Sequence, residues 1–218
     1  MKHPAASTFL AQAPPPNLRS MAVIRSFIAI ELSLQVKQKL DQVARQLQQK
    51  LAGLPVRWVP VTNIHLTLCF LGDVSTTNLP MVISELQSET SQHPPFEMVV
   101  GELGAFPNAI HPRVVWIGVQ FPPVLAALQS GLAARMKRLG YTNEERGFTP
   151  HLTLGRVSRT AAPGDVRRIG EFIQKVEVGQ LGVVAVQEIL LFRSDLTPTG
   201  AVYERISTSP LGIVPSGT

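Results

Sequence analysis

The chain has 218 residues, 44% hydrophobic and 16% charged, which places it among globular proteins of one large or two small domains. No apolar run reaches the roughly 18 residues that span a bilayer, and the single cysteine, Cys69, excludes an intramolecular disulfide or a multi-cysteine zinc cluster. That cysteine usage suits a reducing, cytoplasmic setting, while a net charge of +5 favours an anionic partner such as nucleic acid or a phosphorylated small molecule.

Residues 1–21 are small, polar and proline-rich and read as a disordered extension, with Met21 a plausible alternative start. A secretory signal is a poor fit, because the apolar stretch after Lys2 is short and interrupted by Ser7 and Thr8. Val23 to Glu31 reads as a strand. Ser33 then caps a helix whose apolar positions Val36, Leu40, Val43, Leu47 and Leu51 keep helical spacing, with Gly53 as its stop. Ile64 to Phe70 alternates as a strand does, a helix is expected from Asn78 to about Thr90, and a strand from Phe96 to Phe106.

After Pro107 to Pro112 the order begins again. Arg113 to Gln120 is a strand, Pro123 to Leu139 a helix ended by Gly140, and Pro150 to Val157 an alternating strand. A helix over 164–176, a strand over Ala185 to Phe192 and a last strand over Tyr203 to Thr208 complete the second unit, and residues 209–218 read as a flexible tail. The expectation is an α+β domain over residues 22–208. It has two pseudo-two-fold lobes, about 23–106 and 113–208, each a small mainly antiparallel sheet with helices outside, and a cleft between them.

The same tetrapeptide occupies the middle strand of each unit: His65-Leu66-Thr67-Leu68 and His151-Leu152-Thr153-Leu154. On a strand, residues two apart share a face about 6.6 Å apart at roughly 3.3 Å per residue. His65 with Thr67, and His151 with Thr153, therefore form matching imidazole and hydroxyl pairs backed by core leucines. A core needs the leucines to recur and gives no reason for the His and Thr to recur with them.

Two imidazoles facing across a pseudo-two-fold axis suit substitution at phosphorus, where attacking and leaving oxygens lie roughly in line and need a base on one side and an acid on the other. The threonines are placed to donate to non-bridging oxygens. No His-Glu-x-x-His, carboxylate cluster or phosphate-cradling glycine loop accompanies them, so no metal and no cofactor is expected. Cys69 is too far along a regular strand, about 13 Å from His65, to be activated by it and reads as a packing residue. Trp58, Phe148 and Tyr203 read as core residues, with base stacking as the alternative.

The paired motifs, within Arg57-Trp58-Val59 … Asn63-Ile64-His65-Leu66-Thr67-Leu68-Cys69-Phe70-Leu71-Gly72 and Phe148-Thr149-Pro150-His151-Leu152-Thr153-Leu154-Gly155-Arg156, resemble the two His-x-Thr-x signatures of the 2H phosphoesterase superfamily. With Arg25-Ser26-Phe27-Ile28-Ala29-Ile30 and Leu191-Phe192-Arg193-Ser194-Asp195-Leu196-Thr197-Pro198, the chain more closely resembles the bacterial RNA 2′,3′-cyclic phosphodiesterases, historically called 2′-5′ RNA ligases. The resemblance implies metal-independent hydrolysis of RNA 2′,3′-cyclic phosphate ends, or of nucleoside 2′,3′-cyclic phosphates, to 2′-phosphomonoesters. His65 would be the proton donor, His151 the proton acceptor, and Thr67 and Thr153 the phosphate holders; spacing alone does not say which histidine plays which part. The resemblance also brings Arg156 to the phosphate. Strict alternation turns residue 156 away from His151, so either a bulge near Gly155 returns it to the site, the reading favoured, or Arg156 is a surface residue. A non-catalytic nucleotide-binding module and an end-joining enzyme running the reaction backward are the alternatives. A monomer is expected, because the two lobes supply both halves of the site.

Overall fold

The computed structural model describes residues 22–141, 147–198 and 200–212. The expected extension over residues 1–21 and the tail from 213 onward lie outside the described residues. The first unit consists of β1 (Val23–Ile30), α1 (Leu34–Lys50), β2 (Val56–Trp58), a 3₁₀ turn (Val61–Asn63), β3 (Leu66–Ser75), α2 (Leu79–Thr90) and β4 (Phe96–Phe106). The second consists of β5 (Val114–Gln120), α3 (Pro123–Arg138), β6 (His151–Val157), α4 (Pro163–Lys175), β7 (Gly182–Val186), β8 (Glu188–Thr197) and β9 (Gly200–Pro210).

Local chemistry accounts for the helix starts. The Ser33 hydroxyl accepts from the Val36 amide and satisfies one orphan donor of α1. In α2, α3 and α4 a proline stands in the first turn, where its missing N–H costs nothing.

The strands form two sheets, β3-β1-β8-β9 and β2-β6-β5-β4-β7, in which every pairing is antiparallel. Exchanging the units turns β3-β1-β8 into β6-β5-β4, so the internal symmetry expected from the repeated element order is present in the strand order. The expected lobe boundaries are corrected, however. Each sheet takes its third strand from the other unit: β4 joins β5, and β8 with β9 joins β1. The cause is the short connection between β4 and β5. Arg113 donates its amide to the Phe106 carbonyl at 2.6 Å, closing a hairpin, and sequential strands joined by short loops pair with each other.

Two further expectations change. The single strand foreseen over Ala185 to Phe192 is two, broken at Gln187, with β7 in one sheet and β8 in the other. The chain past 208 is not a loose tail up to residue 212: Ser209 and Leu211 are buried, Leu211 donates to the Gln187 carbonyl at 2.8 Å, and Gly212 donates to the His93 carbonyl at 2.9 Å.

Helices α2 and α3 pack on the first sheet, against β8, β9 and β3, while α1 packs against β7 and α4 against β4 of the second. The core runs through both sheets, joining Ile28 and Leu66 to Ile117 and Leu152. Leu66, Leu68, Leu152 and Leu154 are all buried, as the motif requires. Each such leucine contributes about 1.5–3 kcal/mol of burial, which anchors the two histidine strands where β3 and β6 lie against each other.

Candidate active site

His65 stands one residue before β3, at the exit of the 3₁₀ turn, and its Nδ1 lies 2.9 Å from the Asn63 carbonyl. Asn63 is itself tied to β9, donating Nδ2–H to the Ala201 carbonyl at 2.7 Å. At the start of β6, His151 Nδ1 lies 2.8 Å from the Thr149 carbonyl. The two arrangements are the same: each imidazole bonds the carbonyl two residues before it. A carbonyl only accepts, so Nδ1 carries hydrogen in both rings and Nε2 is the basic nitrogen of each neutral imidazole.

The surroundings of the two rings differ. Phe27 stacks on His65 with centroids 4.6 Å apart, Tyr203 meets it edge-on at 5.2 Å, and Phe192 lies 6.3 Å away. His151 meets the ring of Phe106 edge-on at 4.8 Å. Burial pushes the pKa of His65 down from its ordinary 6.5 to about 4. The Asn63 hydrogen bond opposes this shift, the charge of Lys37 adds to it, and Glu31 pulls the other way. Glu31 is clamped by Lys37 at 2.8 Å and Arg205 at 2.6 Å, and these partners hold its carboxyl below the usual carboxylate range. A pocket of about 280 Å³ lies against His65, lined also by Glu31, Asn63, Phe192 and Tyr203.

The register of the second sheet decides the position of Arg156. Gly118, Trp116 and Val114, alternate residues on one face of β5, stand opposite His151, Thr153 and Arg156. A bulge between Thr153 and Gly155 inserts the extra residue, so Arg156 shares the face of His151 and Thr153. Gly155 is required there, because a Cβ would lie 2.9 Å from Val56 Cγ1 and 3.0 Å from Trp58 Cε3. Burial raises the pKa of the Tyr203 hydroxyl and the charges of Arg156 and Arg25 partly oppose that rise, so Arg156 on the second sheet is within electrostatic reach of β9 on the first.

The first motif carries the matching irregularity. Ala29 and Phe27 on β1 stand opposite Thr67 and Phe70, with a bulge between Thr67 and Cys69. The bulge turns Cys69 to the core, where it is 1% exposed, so the cysteine packs as expected but does not share the face of His65. The residue brought to the cleft face is Phe70, 53% exposed, which residue-by-residue reading passed over. Aligning the two motifs would have found it, since Phe70 and Arg156 both stand five residues after their histidine. Of the three aromatic candidates, Trp58 and Phe148 pack against the core as expected, and Tyr203 belongs to the site.

Two antiparallel sheets with exchanged third strands, each bearing a His-x-Thr pair on the strand nearest the symmetry axis, define a two-histidine phosphoesterase. The chain belongs to the LigT-like phosphoesterase family, whose model matches residues 30–116 and again 118–203, and it is thus a hydrolase of phosphate esters. It is 33% identical over 180 residues to the RNA 2′,3′-cyclic phosphodiesterase of Methanothermobacter thermautotrophicus, covering 83% of this chain and 95% of the relative. The enzyme of the same name from Archaeoglobus fulgidus is 32% identical over 181 residues, covering 83% and 97%. Among solved structures, TT0787 of Thermus thermophilus superposes with a TM-score of 0.72 at 25% identity, covering 87% of this chain and 99% of that one. Escherichia coli LigT complexed with 3′-AMP superposes with a TM-score of 0.67 at 25% identity over the same shares.

Proposed function

We propose that this chain hydrolyses the 2′,3′-cyclic phosphate of RNA ends and of nucleoside 2′,3′-cyclic phosphates to a 2′-phosphomonoester, without a metal, through His65 and His151. The observation that carries the reading is the duplicated tether: each ring bonds the backbone carbonyl two residues before it through Nδ1, which fixes the same tautomer and orientation for both histidines. The names of the relatives supply the substrate, and the 3′-AMP complex of the neighbour is consistent with a nucleotide in this cleft.

In this mechanism His151 Nε2 takes a proton from water as the water oxygen bonds to phosphorus. The bond from phosphorus to O3′ breaks, and His65 Nε2–H delivers its proton to O3′. His65 is neutral in the empty cleft, since its pKa is about 4. The anionic phosphate stabilises the imidazolium, so the ring gains its proton as the substrate binds. Thr67 and Thr153 donate to non-bridging oxygens, and Arg156 balances the charge that builds on them.

The test is to incubate wild type with a nucleoside 2′,3′-cyclic phosphate in EDTA and resolve the products. A 2′-phosphate alone is expected. A 3′-phosphate, or a rate that returns only when metal is added, contradicts the proposal, and binding without turnover makes the cleft a recognition site.

A further inference from the structure

Twelve arginines fall within the described residues, and seven of them have a carboxylate oxygen within 4.0 Å. The five that do not are Arg25, Arg57, Arg113, Arg156 and Arg159. Their distribution is not random. Arg25 acts electrostatically on Tyr203 in the cleft, and the other four line one groove of about 1180 Å³. Among the described residues no acidic side chain lines that groove; its remaining walls are Leu54, Pro55, Ser158 and valines.

The groove leads away from the catalytic face. Arg57 on β2 stands directly opposite Arg156 on β6, so the two share the face of His151 and Thr153, with Arg57 about 4.8 Å farther out in the pairing direction. Arg113 is fixed in place, donating Nη1–H to the Ser158 carbonyl at 3.0 Å, and the exposed Arg159 follows just after β6. Among the described residues no carboxylate lies within 4.0 Å of these four guanidinium groups, so their combined field favours an anion. The volume exceeds the roughly 300–1,000 Å³ typical of a small-molecule site, and planar guanidinium forks match phosphate oxygens. A polyanion with phosphates at regular intervals fits better than a single nucleotide.

We infer that this groove holds the single RNA strand leading to the reacting terminus, with Arg57, Arg113 and Arg159 contacting phosphodiesters upstream of the cyclic phosphate. The inference rests on the hydrolysis reading above and adds the part of the substrate that a mononucleotide lacks. Contacts of this kind position the strand without reading its sequence, so the groove favours long RNA ends over free nucleotides, whatever their bases.

The experiment compares the full chain with Arg57→Gln/Arg159→Gln and with the charge-retaining Arg57→Lys/Arg159→Lys. Arg113 is left intact because of its bond to Ser158. Each protein is assayed on a nucleoside 2′,3′-cyclic phosphate and on an unstructured ten-nucleotide RNA ending in the same group. The preference in kcat/KM for the oligonucleotide should fall about tenfold or more in the glutamine variant and be largely retained in the lysine variant. Losing two phosphate contacts should also flatten the dependence of log kcat/KM on log salt for the oligonucleotide by about 1.4. An unchanged preference, or equal losses on both substrates, overturns the inference and leaves the groove to another acidic partner or to structure. If wild type turns over neither substrate, the hydrolysis reading fails; anisotropy binding of the same RNA, weakened or not in the glutamine variant, then decides the groove separately.

Discussion

Phe70 stands after the first His-Leu-Thr-Leu motif where Arg156 stands after the second, and each faces the cleft because a bulge follows the motif's threonine. The duplicated frame therefore presents an apolar ring on one side and a cation on the other. A nucleotide has the same two requirements, a face for its base and a counter-charge for its phosphate. Base stacking on an aromatic ring contributes about 1–3 kcal/mol, so Phe70→Ala is expected to raise KM for a nucleoside 2′,3′-cyclic phosphate about 5- to 100-fold with kcat little changed. Arg156→Gln should instead act mainly on kcat, lowering kcat/KM about 10- to 100-fold. Steady-state kinetics of the two variants check the division.

The pH profile carries a second prediction. The dependence of kcat/KM on pH reports the free enzyme, and one of its limbs should lie near pH 4, where burial has moved His65. Lys37 lowers the pKa of that ring through its charge. Lys37→Gln should therefore move the acidic limb to higher pH and leave the other limb in place. A limb that stays put shows that the charge of Lys37 is not felt at His65.

Stability should respond to the same burial. The folded-state pKa of His65 lies below the unfolded value of 6.5, so its contribution is complete above pH 6.5 and is lost as pH falls toward 4. At 1.36 kcal/mol per unit over the interval from 6.5 to 4, the loss is on the order of 3 kcal/mol. The denaturant midpoint should drop less between pH 7 and pH 5 in His65→Gln than in wild type.

Gly155 gives a prediction that links packing to activity. A side chain there meets Val56 and Trp58, so Gly155→Ala should cost about 1–3 kcal/mol of stability. It should also lower kcat at temperatures where the variant is still folded, because relieving the contact shifts the bulge that turns Arg156 toward the cleft. A calorimetric scan paired with kinetics at 25 °C separates the two effects.

Much of this was legible in the sequence because it is local. The Ser33 cap, the spacing of Val36, Leu40 and Leu47, and the buried leucines of both motifs follow from propensity and periodicity within a few residues. What was not legible depends on partners distant in the chain. Nothing local to Phe96–Phe106 says that β4 pairs outside its own unit, and Val56–Trp58 is too short to show a period. The direction of Arg156 was undecidable by alternation alone, since one inserted residue reverses every face beyond it. Tyr203 enters the site only because β9 pairs with β8 beside β1, an arrangement set by the exchanged strands.

The central claim is that His65 delivers the proton to O3′ while His151 takes one from water. The most direct test replaces the bridging 3′ oxygen of a nucleoside 2′,3′-cyclic phosphate with sulfur, a leaving atom that departs without a proton. On the ordinary substrate, His65→Ala and His151→Ala should each lose about 10²- to 10⁴-fold in kcat. On the sulfur substrate, His65→Ala should regain most of that loss and His151→Ala should not. Rescue of His151→Ala in place of His65→Ala would reverse the two roles, and rescue of neither would contradict acid catalysis by this pair.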